Sequence, residues 1–231
     1  MGWFALGLGL VGCLMVLLPW QRWRKAESPS RLPTLGVVLA WVPFVVLVSR
    51  FVGNDLSIAV VNASGGGDMP LLYRVAATWS ARTGPLLLWA GFTATLAWWW
   101  RQPMERESEA MAERRVGLLG GFAALLMLLA IHLKPFAPTL PGALPGELSP
   151  LLQTDLMVVH PPLVFLAYAY CLSIAATAVW SVGQDDVGLL DRMVRQARPG
   201  FFVTTLAIGL GGLWAYLILD WGGYWAWDPV E

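Results

Sequence analysis

Imidazole and thiol chemistry in this chain can come from only four side chains, His132, His160, Cys13 and Cys171. Both cysteines lie inside apolar runs and form no CxxC pair, which argues against a disulfide framework or a thiol redox centre. The absence of a CxxCH run also means that the chain is not itself a c-type cytochrome. His160 is followed by Pro161 and Pro162 and then by an apolar run. Proline fits the first turn of a helix, where its missing N–H has no partner anyway. The HPP run therefore predicts that His160 stands at the entrance of a helix with its imidazole free to face outward. Two readings of that position stay open: a helix-start histidine bonded to a loop, or an axial ligand to a metal or haem iron. His132, close to Lys134 in AIHLKPF, reads as an anchor at a membrane boundary.

The second concentration of chemistry is WGGYWAWDPVE, residues 221–231. An interfacial belt explains one or two of its aromatic residues. It explains poorly why Trp221, Tyr224, Trp225 and Trp227 crowd around Gly222 and Gly223. Paired glycines let the backbone turn sharply and let a flat ligand approach. Neighbouring aromatic faces would hold a planar, apolar molecule by stacking and burial. After them Asp228 is a good N-cap, Pro229 a good first helical residue, and Glu231 falls at the third helical position. The run predicts a further helix starting at 229, hence a split gene product or a portion of a longer chain.

These residues must be positioned by membrane helices. Of the 231 residues 57% are hydrophobic and 13% are charged, against roughly 25% charged in a soluble domain. Net charge is zero, so nothing in the overall balance points to nucleic acid. Spanning a bilayer takes about 20 apolar residues as a helix. Six stretches approach that length: 2–20, 33–52, 84–100, 116–133, 161–181 and 201–220. The first ends in PWQRWRK, an aromatic and basic collar, and lacks the basic leader of a signal peptide. The expectation is an all-α, polytopic integral membrane protein forming one membrane domain.

Eleven of the fifteen basic residues fall in the first, third and fifth loops. The positive-inside rule then puts those loops in the cytoplasm and both termini outside. Two longer loops, about 53–83 and 134–160, face outward with the aromatic run. RQPMERESEAMAERR mixes both signs and reads as a solvated connector or a helical extension. MPLLYRVAATWSARTG has apolar residues at roughly helical spacing and suits the membrane surface. KPFAPTLPGALPGELSPLLQ has five prolines between Pro135 and Pro150, so it is expected to pack as irregular chain over helix ends. Asn62-Ala63-Ser64 matches a glycosylation sequon, a pattern common by chance.

Three runs in this order resemble one family. WGGYWAWDPVE resembles the tryptophan-rich WWD motif of haem-handling proteins in cytochrome c maturation. LSPLLQTDLMVVHPPLVFLAY is similar to that family's loop ahead of a membrane helix, and MPLLYRVAATWSARTGPLLLW to the segment before its third helix. Together they cover roughly residues 70–231 and resemble the N-terminal part of a CcmF-type cytochrome c haem lyase subunit. Tyr224 and Ala226 depart from the pattern, which has bulkier Trp or Phe there.

The resemblance implies an inner-membrane, multi-pass protein whose outer face holds haem b, as substrate, for attachment to the CxxCH thiols of apocytochrome c. It implies haem contacts from His160, Trp221, Gly222, Gly223, Tyr224, Trp225, Trp227 and Asp228, with His160 on the iron. A second flanking histidine and the ligands of a second, structural haem b would lie further along than residue 231. Implied partners are a haem chaperone, other maturation subunits and the lipid bilayer. No acid or base for thioether formation is evident, so the chain reads as a haem-presenting part of a lyase. Two readings from other classes are a transporter or channel fragment, and a structural subunit that docks through its tryptophans. The scarcity of polar residues in the spans, Arg50 and His132 at their edges apart, argues against ion transport.

Overall fold

The computed structural model describes residues 1–17, 32–181 and 186–218, and among them the regular elements are helices, joined by irregular loops with two isolated β-bridges. Helix α1 is Gly2–Leu17 and α2 is Leu32–Val52. Two short helices follow, α3 (Ala59–Ser64) and α4 (Leu71–Ala77). Helix α5 is Thr83–Trp99, α6 is Glu109–His132, α7 is Asp155–Val179 and α8 is Leu189–Ile218. Four of these, α2, α6, α7 and α8, are long and apolar enough to cross a membrane. Helix α1 is apolar but shorter, and α5 has 17 residues.

Helices α1, α2, α5 and α6 pack as a bundle, α7 lies against α5 and α6, and α8 packs chiefly on α7. Small residues allow the closest approach. A side-chain carbon on Gly12 would stand 2.5 Å from the Gly36 carbonyl oxygen, so the α1 and α2 backbones touch there. The core between them is filled by Leu6, Cys13, Ala40, Leu47, Leu87, Leu119 and Met127, all buried.

The two long loops knit together at one end of the bundle. The Ala59 amide donates to the Ala137 carbonyl at 2.9 Å, and Thr139 to Ser57 at 2.8 Å. Gly146 donates to Asn62 at 2.7 Å and Gly66 to Gly146 at 2.9 Å. The proline-rich loop is irregular, as expected, and its Phe136 covers the start of α1 at Gly2. Asn62 is buried and donates its side-chain amide to the Leu144 carbonyl at 3.2 Å, so the sequon is tucked under the loop.

Three sequence expectations are corrected. The run 101–115 is a helical extension from Glu109 onward, one of its two readings, and is not a wholly solvated connector. Its Glu107 and Arg115 are buried and pair at 2.8 Å, and the Arg115 guanidinium also caps the Trp100 carbonyl at 2.7 Å. Helix α8 begins at Leu189, about three turns earlier than hydropathy places the span, because its first turns bury Arg192 and Gln196. Helix α7 begins at Asp155, so the HPP run lies inside it.

Candidate functional site

The early start of α7 decides where His160 goes. Thr154 caps the helix, its hydroxyl accepting from the Leu156 amide at 3.4 Å, and Asp155 adds a negative charge to the first turn. His160 is therefore the sixth residue of α7 and not its entrance, roughly 7 Å along the axis from Asp155. Pro161 and Pro162 stand in the second turn, where they remove helical hydrogen bonds. Pro161 has no N–H to offer the Met157 carbonyl. That oxygen accepts instead from the indole N–H of Trp79, at 2.7 Å, in a buried contact. The Trp79 indole and the HPP run thus form one unit, although 78 residues separate Trp79 from Met157.

The imidazole of His160 is half-buried and turns toward α8 and not freely outward. Its Nδ1 lies 2.8 Å from the Ala207 carbonyl oxygen. A carbonyl can only accept, so Nδ1 carries the proton and the lone pair resides on Nε2. Trp214, two turns beyond Ala207, stands edge-on to the imidazole with ring centroids 5.8 Å apart at 73°. Trp214 also packs against the small cluster of Ala76, Trp79 and Met157. Its indole N–H is buried and has no hydrogen-bond partner among the described residues.

A cavity of about 120 Å³ lies between α7 and α8, lined by His160, Val164, Tyr168, Thr204, Ala207 and Ile208 among others. Cavities that enclose a whole small ligand run to roughly 300–1,000 Å³. This one is too small to enclose a macrocycle, so a ligand on Nε2 would rest against the helices as on a shelf. Among the described residues no three His, Cys, Asp or Glu side chains converge as a metal cluster. A single imidazole of fixed tautomer suits one axial position on an iron whose other ligands come from elsewhere.

The remaining site residues of the sequence reading, Trp221, Gly222, Gly223, Tyr224, Trp225, Trp227 and Asp228, lie outside the described residues. His132 is the last residue of α6 and is exposed, 28 residues from His160 in sequence and on another helix. Two participants escaped the sequence reading: Ala207, which fixes the tautomer through its backbone, and Trp214. The proline at 161 does signal a free carbonyl at 157, but nothing in the sequence names Trp79 as its donor.

Three comparisons with known proteins bear on the family and the fold. The family profile described as cytochrome C assembly protein matches residues 79–231, a stretch that holds Trp79, Met157, His160, Ala207 and Trp214. The chain is 34% identical to the cytochrome c-type biogenesis protein CcmF of Escherichia coli (strain K12), over 96% of this chain and 36% of that protein. It is 32% identical to the cytochrome c-type biogenesis protein ccl1 of Rhodobacter capsulatus, over 100% of this chain and 37% of that one. A solved structure titled cytochrome c heme lyase CcmF superposes with a TM-score of 0.72 at 23% identity, covering 100% of this chain and 38% of the other, a likeness of fold. The chain spans a little over a third of the length of these curated relatives. On the family profile, the chain belongs to the cytochrome C assembly protein family.

Proposed function

We propose that this chain serves cytochrome c-type biogenesis as the haem-presenting part of a cytochrome c haem lyase. In this reading it crosses the inner membrane six times, by α1, α2, α5, α6, α7 and α8, with both termini and the knitted loops outside. The basic residues of the other loops support that orientation. Haem b is the substrate. His160 Nε2 takes one axial position on its iron, and residues 221–231 supply the aromatic and glycine platform, with Trp221, Gly222, Gly223, Tyr224, Trp225, Trp227 and Asp228 in contact.

The observation that carries the reading is the bond from His160 Nδ1 to the Ala207 carbonyl. Metal-bound histidines characteristically give their other N–H to such an acceptor, which fixes the ring and raises the basicity of the ligating nitrogen. Covalent attachment adds each CxxCH thiol across a haem vinyl group: a sulfur–carbon bond forms, and the thiol proton ends on the neighbouring vinyl carbon. What this chain's residues contribute is orientation of the haem edge toward the thiols, an entropic gain. A haem chaperone delivers the substrate and apocytochrome c receives it. A second haem b, structural, takes its ligands from segments further along than residue 231.

The test is maturation in cells that depend on this protein for it. His160→Ala should abolish covalently attached haem in the recipient cytochrome while the protein stays in the membrane at normal level. Normal haem staining of cytochrome c in that variant would refute the reading.

A further inference from the structure

At the end of the bundle opposite the knitted loops, a cleft of about 640 Å³ opens between α8 and the segment before α6. Its lining includes Glu105, Asp191, Val194, Arg195, Arg198 and Pro199. Two guanidinium groups and two carboxylates share one exposed space, and among the described residues none of the four forms an ion pair within it. The ion pairs of this end, Arg115 with Glu107 and Arg192 with Asp186, are buried beside the cleft and use other side chains. Pro199, inside the helix, lacks the N–H that would reach the Arg195 carbonyl, so that oxygen has no helical donor from residue 199.

The same helix face changes character along its length. Asp191, Val194, Arg195 and Arg198 fall at helical spacing with Phe201, Phe202, Thr205 and Leu206, and all eight are exposed. The charged half ends at Pro199 and the apolar half begins at once, with Phe201 75% exposed. A tryptophan band marks the level: Arg195 lies over the Trp100 ring at 5.9 Å, Arg101 over Trp98 at 4.5 Å and Arg114 over Trp180 at 5.7 Å. Tryptophan and arginine at one level are the signature of the headgroup layer.

We propose that this cleft binds an aminophospholipid of the phosphatidylethanolamine type. Arg195 and Arg198 take the phosphate, while Asp191, Glu105 and the Arg195 carbonyl accept from the ammonium group. The acyl chains then run along Phe201, Phe202 and Leu206. A purely anionic headgroup would leave the carboxylates repelling it, and a quaternary choline has no N–H to give them. The site is independent of the haem reading, since it lies at the other end of α8.

The experiment is native mass spectrometry of the full-length protein offered phosphatidylethanolamine, phosphatidylcholine and phosphatidylglycerol of identical acyl composition. Phosphatidylethanolamine should be retained about tenfold over phosphatidylcholine, the worth of one charge-assisted hydrogen bond. Arg195→Gln with Arg198→Gln should remove that retention. Glu105→Gln with Asp191→Asn should bring phosphatidylethanolamine down to the phosphatidylcholine level. Equal retention of those two lipids by the unmodified protein would overturn the proposal, as would retention of phosphatidylglycerol above both. Displacement of bound lipid by glycerophosphoethanolamine, which has no acyl chains, would also overturn it by making the site one for a soluble phosphodiester.

Discussion

The indole N–H of Trp79 donates to the backbone carbonyl of Met157, the oxygen that Pro161 leaves without a helical donor. Replacing Trp79 with Phe keeps most of the ring and leaves a buried carbonyl unpaired. The expected loss is about 1–3 kcal/mol. In a Pro161→Ala background, where residue 161 regains its N–H, Trp79→Phe should cost clearly less. Thermal unfolding of the four proteins in detergent gives this cycle.

The Trp214 indole is edge-on to His160 but its N–H is unpartnered among the described residues. Trp214→Phe should therefore change stability by less than about 1 kcal/mol. Trp214→Ala removes the ring from both His160 and the Trp79–Met157 cluster, at a cost of about 3 kcal/mol, the low end for a large aromatic because the residue is only part-buried. Comparing the unfolding midpoints of the two variants separates packing from hydrogen bonding.

Glu107 and Arg115 form a buried pair in which Arg115 also serves the Trp100 carbonyl. Removing one partner strands the other charge. Glu107→Ala should destabilise by about 3–5 kcal/mol, seen as a large drop in the midpoint of thermal unfolding. A change under 1 kcal/mol would show that the pair is not sequestered from water.

Asp186 lies between α7 and α8, where bonds from Arg192 and Ser181 hold its carboxyl below the ordinary aspartate range. A carboxyl whose folded value is depressed stabilises the fold above its unfolded value, near pH 4, and that contribution fades as pH falls through the folded value. Asp186→Asn should lower stability at pH 7 and flatten the loss on acidification from pH 4 downward. Parallel unfolding curves of the two proteins across that range would contradict the assignment.

Helix type was legible because long apolar runs favour helix, whereas the number that cross a membrane was not, since only four of the described helices are long and apolar enough. All six runs became helices, and α2, α5 and α6 start or end within a few residues of the hydropathy limits, apart from the polar first turns of α6. The ends of α7 and α8 were not legible. Thr154 and Asp155 outweigh the proline pair as a start signal, and Gln196 is helical because its amide finds Ser173 and Thr177 at 2.7 Å each. The α8 start depends on partners distant in sequence, whereas the α7 start rests on a local cap, Thr154 on Leu156, that competes with the proline pair. The candidate site was half visible: HPP flagged His160, whereas its tautomer depends on a backbone oxygen of Ala207, which no side-chain pattern encodes.

The central claim is that His160 Nε2 is an iron ligand, and optical spectroscopy of the purified full-length protein tests it most directly. Haem titrated into the protein should give the Soret and visible bands of histidine-ligated iron. His160→Ala should lose that component, and added imidazole should restore it in part by refilling the position. An unchanged spectrum and unchanged haem stoichiometry in His160→Ala would contradict the account.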